Sequence, residues 1–346
     1  MKLLPDYSFK ELKEIVLNYK EPSFRALQLY KWIILGKDYS EMNNIPKSFT
    51  EKLSEEFNPL ALEILEKITA SDGTIKYLYR LNDGNIIEGV LMNYKHGNTL
   101  CVSTQVGCRM GCAFCASGIG GLVRNLSSGE ILGQVIAANR DMGGNSGERK
   151  ITNIVLMGSG EPLDNYDNTV KFIKNLSSKE GLGISQRNVS LSTCGLVDKI
   201  KMLEKEGLGI NLTISLHAPY DEIRKKIMPI ANRYCINELI EECKNYFDIT
   251  KRRVIFEYAV IDGINDSYDC AHKLKELFKG FSYHLNLIRL NYVKEKNLKP
   301  SKKENFKKFT DELEKLKVSF TVRRTMGDDV GGACGQLRRS YMEKHD

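Results

Sequence analysis

The stretch TLCVSTQVGCRMGCAFC, residues 99–115, changes character halfway along. TLCVSTQ is an apolar, β-branched run of strand length, and beyond it lies a glycine-broken loop carrying Cys108, Cys112 and Cys115. The strand-like texture returns in ITNIVLM (151–157), NVSLST (188–193), INLTISLH (210–217), VIFEYAVI (254–261) and HLNLIRLN (284–291). Helix-patterned segments separate these runs, among them SSGEILGQVIAANR, with a capping box at Ser127 and Glu130, and VDKIKMLEKEG, INELIEECKNYF and AHKLKELF. Strand alternating with helix, with nearly continuous apolar strands, means a parallel sheet covered by helices. Six repeats are too few for a closed eight-stranded barrel, so an α/β fold built as a partial (β/α)6 barrel is expected, with a doubly wound sheet as the alternative. In either, ligands collect at the carboxyl ends of the strands. FTVRRT (320–325) adds a further strand after a helix expected to start at a Ser301/Glu304 capping box.

Upstream the pattern differs. Residues 1–58 read as helical: Glu21-Pro22-Ser23 offers a helix start, and FRALQLYKWIILG lays an apolar stripe at helical spacing. KYLYRL, the turn Asn82-Asp83-Gly84-Asn85 and IIEGVLMNY form a β-hairpin signal. The chain thus divides into an N-terminal helical domain over 1–58, a β-hairpin linker over 59–98 and an α/β domain over 99–346.

Composition excludes several classes. In 346 residues, 42% hydrophobic and 27% charged content is that of a globular protein, with no run long enough to span a bilayer. The start MKLLPDYSFKELKE breaks its apolar run at Pro5 and Asp6 and is no signal peptide, which points to the cytoplasm. Nine cysteines suit metal or thiol chemistry in a reducing compartment better than a disulfide framework. A net charge of +7 favours an acidic partner such as nucleic acid. KEKNLKPSKKENFKK (294–308), KRR (251–253) and RKK (224–226) are either phosphate contacts or solvated faces.

Three thiols at x3 and x2 spacing, directly after the first core strand, can wrap one corner of a cubane cluster and leave one iron without a protein ligand. A structural zinc site wants four ligands, and no His or further Cys follows within 70 residues. A zinc-stabilised, non-catalytic RNA-binding protein is the alternative that this loop leaves open.

C-x3-C-x2-C after the first strand resembles the signature of the radical S-adenosylmethionine superfamily. CVSTQVGCRMGCAFCASG, MGSGEPLDNY, LSTCG, ISLHAP, NLIRLN and GDDVGGACGQLRR together resemble the RlmN and Cfr family of ribosomal RNA adenine methyltransferases over essentially the whole chain. The resemblance implies a radical-SAM barrel whose [4Fe-4S] cluster sits on Cys108, Cys112 and Cys115. It implies that S-adenosyl-L-methionine is held by Gly160, Glu161, Ser192, Ser215, Leu216, His217 and Asn291. It further implies that Cys334 carries a methyl group, that Glu88 accepts the ring proton, and that Cys101 releases the product by forming a transient disulfide with Cys334. From the residues alone, Glu88 reads as an exposed strand carboxylate, Cys101 as a core residue and His217 as a strand-closing polar group. The implied substrates are adenosines in the peptidyl-transferase region of 23S rRNA and beside the tRNA anticodon, with a flavodoxin or ferredoxin as electron donor and no membrane association. A monomer is expected. Ser159, Arg289 and Gly331-Gly332 depart from the branch that methylates adenine C2, and Arg289 is similar to the Cfr branch, which methylates C8; CRMGC and Glu161-Pro162-Leu163-Asp164-Asn165 match the C2 branch, which is the expectation here.

Overall fold

The computed structural model describes residues 1–324 and residue 327, apart from 96, 146 and 291–295. Asn291, Gly331, Gly332 and Cys334 therefore lie outside the described residues. In chain order the strands and α-helices are β1 (Lys2–Leu3), α1 (Phe9–Asn18), α2 (Arg25–Ile34), α3 (Lys47–Ser54), β2 (Phe57–Asn58), β3 (Leu62–Thr69), β4 (Ile75–Leu81), β5 (Ile86–Tyr94), β6 (Gly97–Cys101), β7 (Gln105–Gly107), β8 (Leu122–Asn125), α4 (Ser128–Asp141), β9 (Ile151–Leu156) and α5 (Tyr166–Leu176). Next come β10 (Val189–Thr193), α6 (Val197–Leu203), β11 (Asn211–Ser215), α7 (Asp221–Ile227), α8 (Ile236–Thr250), β12 (Val254–Val260), α9 (Tyr268–Leu277), β13 (Tyr283–Arg289), α10 (Lys303–Lys315) and β14 (Phe320–Val322). The six expected strand-then-helix repeats begin at β6, β9, β10, β11, β12 and β13. The chain divides into two compact units.

The first unit comprises Met1–Val106, Arg124–Gly158 and Asn165–Val189. Its helices α1 to α3 bury Leu12, Val16, Leu29, Tyr30, Phe49 and Leu53 in one cluster. A strand pair not foreseen from the sequence closes this segment: β1 runs parallel to β2, with Lys2 opposite Phe57. β4 and β5 are the expected hairpin, and Gly84, at φ +84°, takes the conformation its turn requires. β3, also unforeseen, pairs antiparallel with β4. Its LEILEKIT places Glu63, Glu66 and Lys67 between apolar residues, so the charged residues mask the strand signal. β5 pairs antiparallel with β6, and β6 parallel with β9. The run 99–105 is not one strand: β6 stops at Cys101 and pairing resumes at Gln105. The Ser127/Glu130 capping box forms as expected, with Ser127 Oγ accepting from Glu130 N at 3.2 Å and Glu130 accepting from Ser127 N at 2.9 Å.

The second unit comprises Gly107–Val123, Ser159–Asp164 and Ser190 onward. β10, β11, β12, β13 and β14 run parallel in that order, each bonded to the next. The run of β12, VIFEYAV, is almost wholly buried, as a strand covered on both faces must be. One expected cap fails. α10 begins at Lys303 with Lys302 at its N-cap and no side-chain cap, because the Ser301 hydroxyl donates instead to Asp266 at 2.6 Å. The basic run RKK is also not a surface face throughout, since Arg224 is completely buried.

Candidate active site

In the second unit, the loop from Cys108 to Cys115 is held at three points by its backbone. Cys108 N donates to Gly121 O at 2.9 Å, Cys115 N to Cys112 O at 3.2 Å, and Ala113 N to Ile227 O at 2.8 Å. Gly111, at φ +68°, makes the bend between the first two cysteines, a conformation other residues adopt only at a cost. Burial pushes the Cys108 thiol up to about 11, and the charges of Cys115, Glu161 and Asp164 push the same way. Burial also raises Cys112, helped by Cys115 and Cys108. Thiols this close oppose one another's ionisation, and a bound multivalent cation reverses that balance. Among the described residues no three His, Cys, Asp or Glu side chains converge on a single metal ion. A cubane asks for less convergence, because each thiolate ligates its own iron. The donor set therefore fits an iron–sulfur cluster better than a lone zinc.

Next to this loop stand the strand-end residues. Gly160 has φ +107°, a region closed to residues with a Cβ, so glycine is required there. Glu161 is buried, and its carboxylate ties two loops together, accepting from Leu163 N at 3.0 Å and from Cys194 N at 2.7 Å. Burial raises its pKa, and those hydrogen bonds pull it back down. Ser192 and Ser215 bring their hydroxyls within 3.5 Å of each other at the ends of β10 and β11. Leu216 N and His217 N both donate to Glu257 O on β12.

His217 is more than a closing polar group. Its backbone is left-handed, at φ +54°, and its carbonyl accepts from Asn265 Nδ2 at 2.7 Å. Its Nδ1 accepts from Ala259 N at 2.9 Å, which puts the ring proton on Nε2. Burial, then the charge of Arg224, lowers its pKa to about 3, so the ring is neutral at physiological pH. Its edge meets the ring of Phe114, the residue before Cys115, with centroids 4.6 Å apart.

Cys101 and Glu88 belong to the first unit. Cys101 ends β6 and is buried. Val90 on β5 pairs with Cys101, so Glu88, two residues earlier on β5, faces the same side of the sheet as a diagonal neighbour of Cys101. Glu88 is not an exposed strand carboxylate: its relative exposure is 2%. Lys76, opposite Val90 on β4 and equally buried, shares that face. Sequence reading missed Lys76, although its place one strand away from Glu88 in an alternating hairpin was a usable signal. Gly89 keeps the strand pair close, since a Cβ there would lie 2.9 Å from the Tyr79 ring and 3.1 Å from Cys101 O. Gln134 on α4 clamps the backbone beyond Cys101, accepting from Ser103 N at 2.8 Å and donating to Ser103 O at 2.9 Å. The Ser103 hydroxyl donates to Glu88 O at 2.7 Å.

Such a fold with this cysteine loop defines a radical SAM enzyme, and residues 102–274 match the model of the radical SAM superfamily. Enzymes of this class use a [4Fe-4S] cluster and S-adenosyl-L-methionine. Residues 3–58 match the N-terminal domain of ribosomal RNA large subunit methyltransferases. The chain is 50% identical to a probable dual-specificity RNA methyltransferase RlmN of Clostridium acetobutylicum, over 100% of this chain and 99% of that one. It is 50% identical to the corresponding protein of Clostridium tetani, over 99% and 97%. A radical SAM methyltransferase from Sphaerobacter thermophilus superposes with a TM-score of 0.92 at 40% identity, covering 97% of this chain and 99% of that one. The chain belongs to the RlmN family of radical SAM RNA methyltransferases.

Proposed function

We propose that this enzyme methylates adenine C2 in two RNAs, an adenosine of the peptidyl-transferase region of 23S rRNA and one beside the tRNA anticodon. Cys108, Cys112 and Cys115 would hold the cluster. Gly160, Glu161, Ser192, Ser215, Leu216 and His217, with Asn291, would hold S-adenosyl-L-methionine. The bound cluster and cofactor supply a carbon-centred radical, which an unactivated ring carbon requires because it is too weak a nucleophile for ordinary methyl displacement.

The chain's own residues do the rest. Cys334 takes a methyl group and becomes the covalent carrier to the ring. Glu88 accepts the ring proton, and Cys101 attacks the Cys334 sulfur, breaking its bond to the transferred carbon, which departs on the ring with the bonding pair and becomes the methyl group, and leaving a disulfide that cellular thiols reduce. The observation that carries this reading is the placement of Glu88 and Cys101 as buried neighbours on one face of adjacent strands. A carboxylate is kept that deep against its solvation cost only where its charge is used or paired. C2 is favoured over C8 because CRMGC and EPLDN, the motifs of the C2 branch, are joined here by a forked Arg109–Asp164 pair, with Arg109 Nε 2.9 Å from Asp164 Oδ2.

No helix among the described residues is long and apolar enough to cross a membrane. The net charge of +7 supports RNA as the partner, and we read the enzyme as a cytoplasmic monomer that draws electrons from a flavodoxin or ferredoxin. Residues 1–58 would form the RNA-binding accessory domain, 59–98 the hairpin linker and 99–346 the catalytic domain. The test is incubation of anaerobically reconstituted enzyme with unmodified 23S rRNA and tRNA, followed by nucleoside analysis. 2-Methyladenosine is expected; 8-methyladenosine would overturn the C2 assignment, and unmodified adenosine the activity.

A further inference from the structure

Arg224, on α7, is among the largest side chains the fold buries completely. Its Nε donates to Leu216 O at 3.1 Å, and its Nη2 to Cys194 O at 2.7 Å and Ser215 O at 3.2 Å. Nη1 is buried with no hydrogen-bond partner. Burying a cation on neutral carbonyls is unfavourable, and an orphaned donor adds to the cost. The fold nevertheless makes room for it. Gly195, at φ +96°, is the residue beside the guanidinium, and a Cβ there would lie 3.4 Å from Nη2 and 3.0 Å from the Leu239 methyls.

The neighbouring groups indicate which anion this cation serves. RNA phosphate has no access to a fully buried side chain. Asp221 uses Oδ1 to cap Ile236 N, at 2.9 Å. Arg224 lies one helical turn before Ile227 on α7, the residue whose carbonyl anchors the cysteine loop, and its guanidinium is fixed to the ends of β10 and β11. The bond from Ala113 N to Ile227 O, 2.8 Å, ties the residue after Cys112 to the end of α7, so the cysteine loop is anchored to the helix that carries Arg224.

We propose that Arg224 is the fixed cation that balances the negative charge of the iron–sulfur cluster on Cys108, Cys112 and Cys115, and thereby raises its reduction potential toward that of the electron donor. This rests on the proposed role of those three cysteines as cluster ligands. In the step concerned, a low-potential one-electron donor is oxidised and the cluster core goes from dication to monocation. With three thiolates the site passes from one net negative charge to two; no bond forms or breaks and no proton moves. A buried positive charge favours the more negative state, so Arg224 acts on the equilibrium of this step without touching the RNA.

The test is an EPR-monitored dithionite titration of the reconstituted full-length enzyme without S-adenosylmethionine, comparing the wild type with R224K, R224Q and R224M. Iron content and circular dichroism are measured on each. The neutral variants should lower the ratio of reduced to oxidised cluster at fixed poise by tenfold or more, equivalent to a fall of about 59 mV. R224K, which keeps the charge, should titrate near the wild type. Neutral variants that titrate at the wild-type potential overturn the proposal, even if they hold less iron. Should they hold no iron, R224K decides alone: an unmoved potential supports the role and a tenfold fall overturns it. A wild-type enzyme that binds no cluster would instead refute the underlying assignment.

Discussion

Gln134→Leu tests how the fold holds Cys101 and Glu88 in place. The Gln134 side chain is completely buried and satisfies both the N–H and the carbonyl of Ser103, at 2.8 and 2.9 Å. Ser103 in turn donates to the Glu88 carbonyl. Leucine fills a similar volume but offers neither bond, so two buried backbone groups lose their partners at about 1–3 kcal/mol each. Subtracting about 1 kcal/mol for the added apolar burial leaves a loss of about 3 kcal/mol. Urea unfolding followed by circular dichroism reads this as a lower midpoint at unchanged slope. Lys10→Ala, an exposed change on α1, is the control and should stay within about 0.5 kcal/mol of the wild type. A Gln134→Leu midpoint as close to the wild type as that control would refute the clamp.

Cys112→Ala should abolish the visible absorption and iron content of the reconstituted protein while far-ultraviolet circular dichroism stays unchanged. With Glu88 as the proposed proton acceptor, Glu88→Gln should lower turnover by about 10²–10⁴-fold and leave RNA covalently attached to the protein, visible on a denaturing gel. Glu242 on α8 is buried, and burial followed by the charge of Glu204 raises its pKa from 4.5 to about 7. Because its folded value is the higher one, its favourable contribution is complete below pH 4.5 and is lost as pH rises to about 7. Glu242→Gln should therefore flatten the stability profile over that window by up to about 3 kcal/mol, measured by urea unfolding at several pH values.

The alternation of apolar strands and capped helices was legible because it follows from local periodicity, and so were the six repeats and the Ser127/Glu130 cap. β3 was not, since Glu63, Glu66 and Lys67 interrupt its apolar residues and only pairing with β4 makes it a strand. Ser301 had the right spacing for a cap, but Asp266, distant in sequence, competes for its hydroxyl. Burial of charged residues was the least legible feature. Glu88 sits in the strand run IIEGVLMNY but reads there as an exposed carboxylate, and Lys76 opens the strand run KYLYRL with nothing to mark it as buried. Arg224 belongs to a basic run with the look of a surface, while the bonds that hold it come from the ends of β10 and β11. Cys108, Cys112 and Cys115 stood out because their spacing is itself the chemistry. Cys101 and Glu88 were visible only through family likeness, since neither has a distinctive local pattern.

The central claim is that Cys334 carries the transferred carbon. Mass spectrometry of the Cys334 peptide, from enzyme purified without oxygen and incubated with methyl-labelled S-adenosylmethionine, tests this most directly. The peptide should be heavier by one labelled methylene unit, and the label should vanish once unmodified RNA and a reductant are added. An unlabelled Cys334 in enzyme that still methylates RNA would contradict the account.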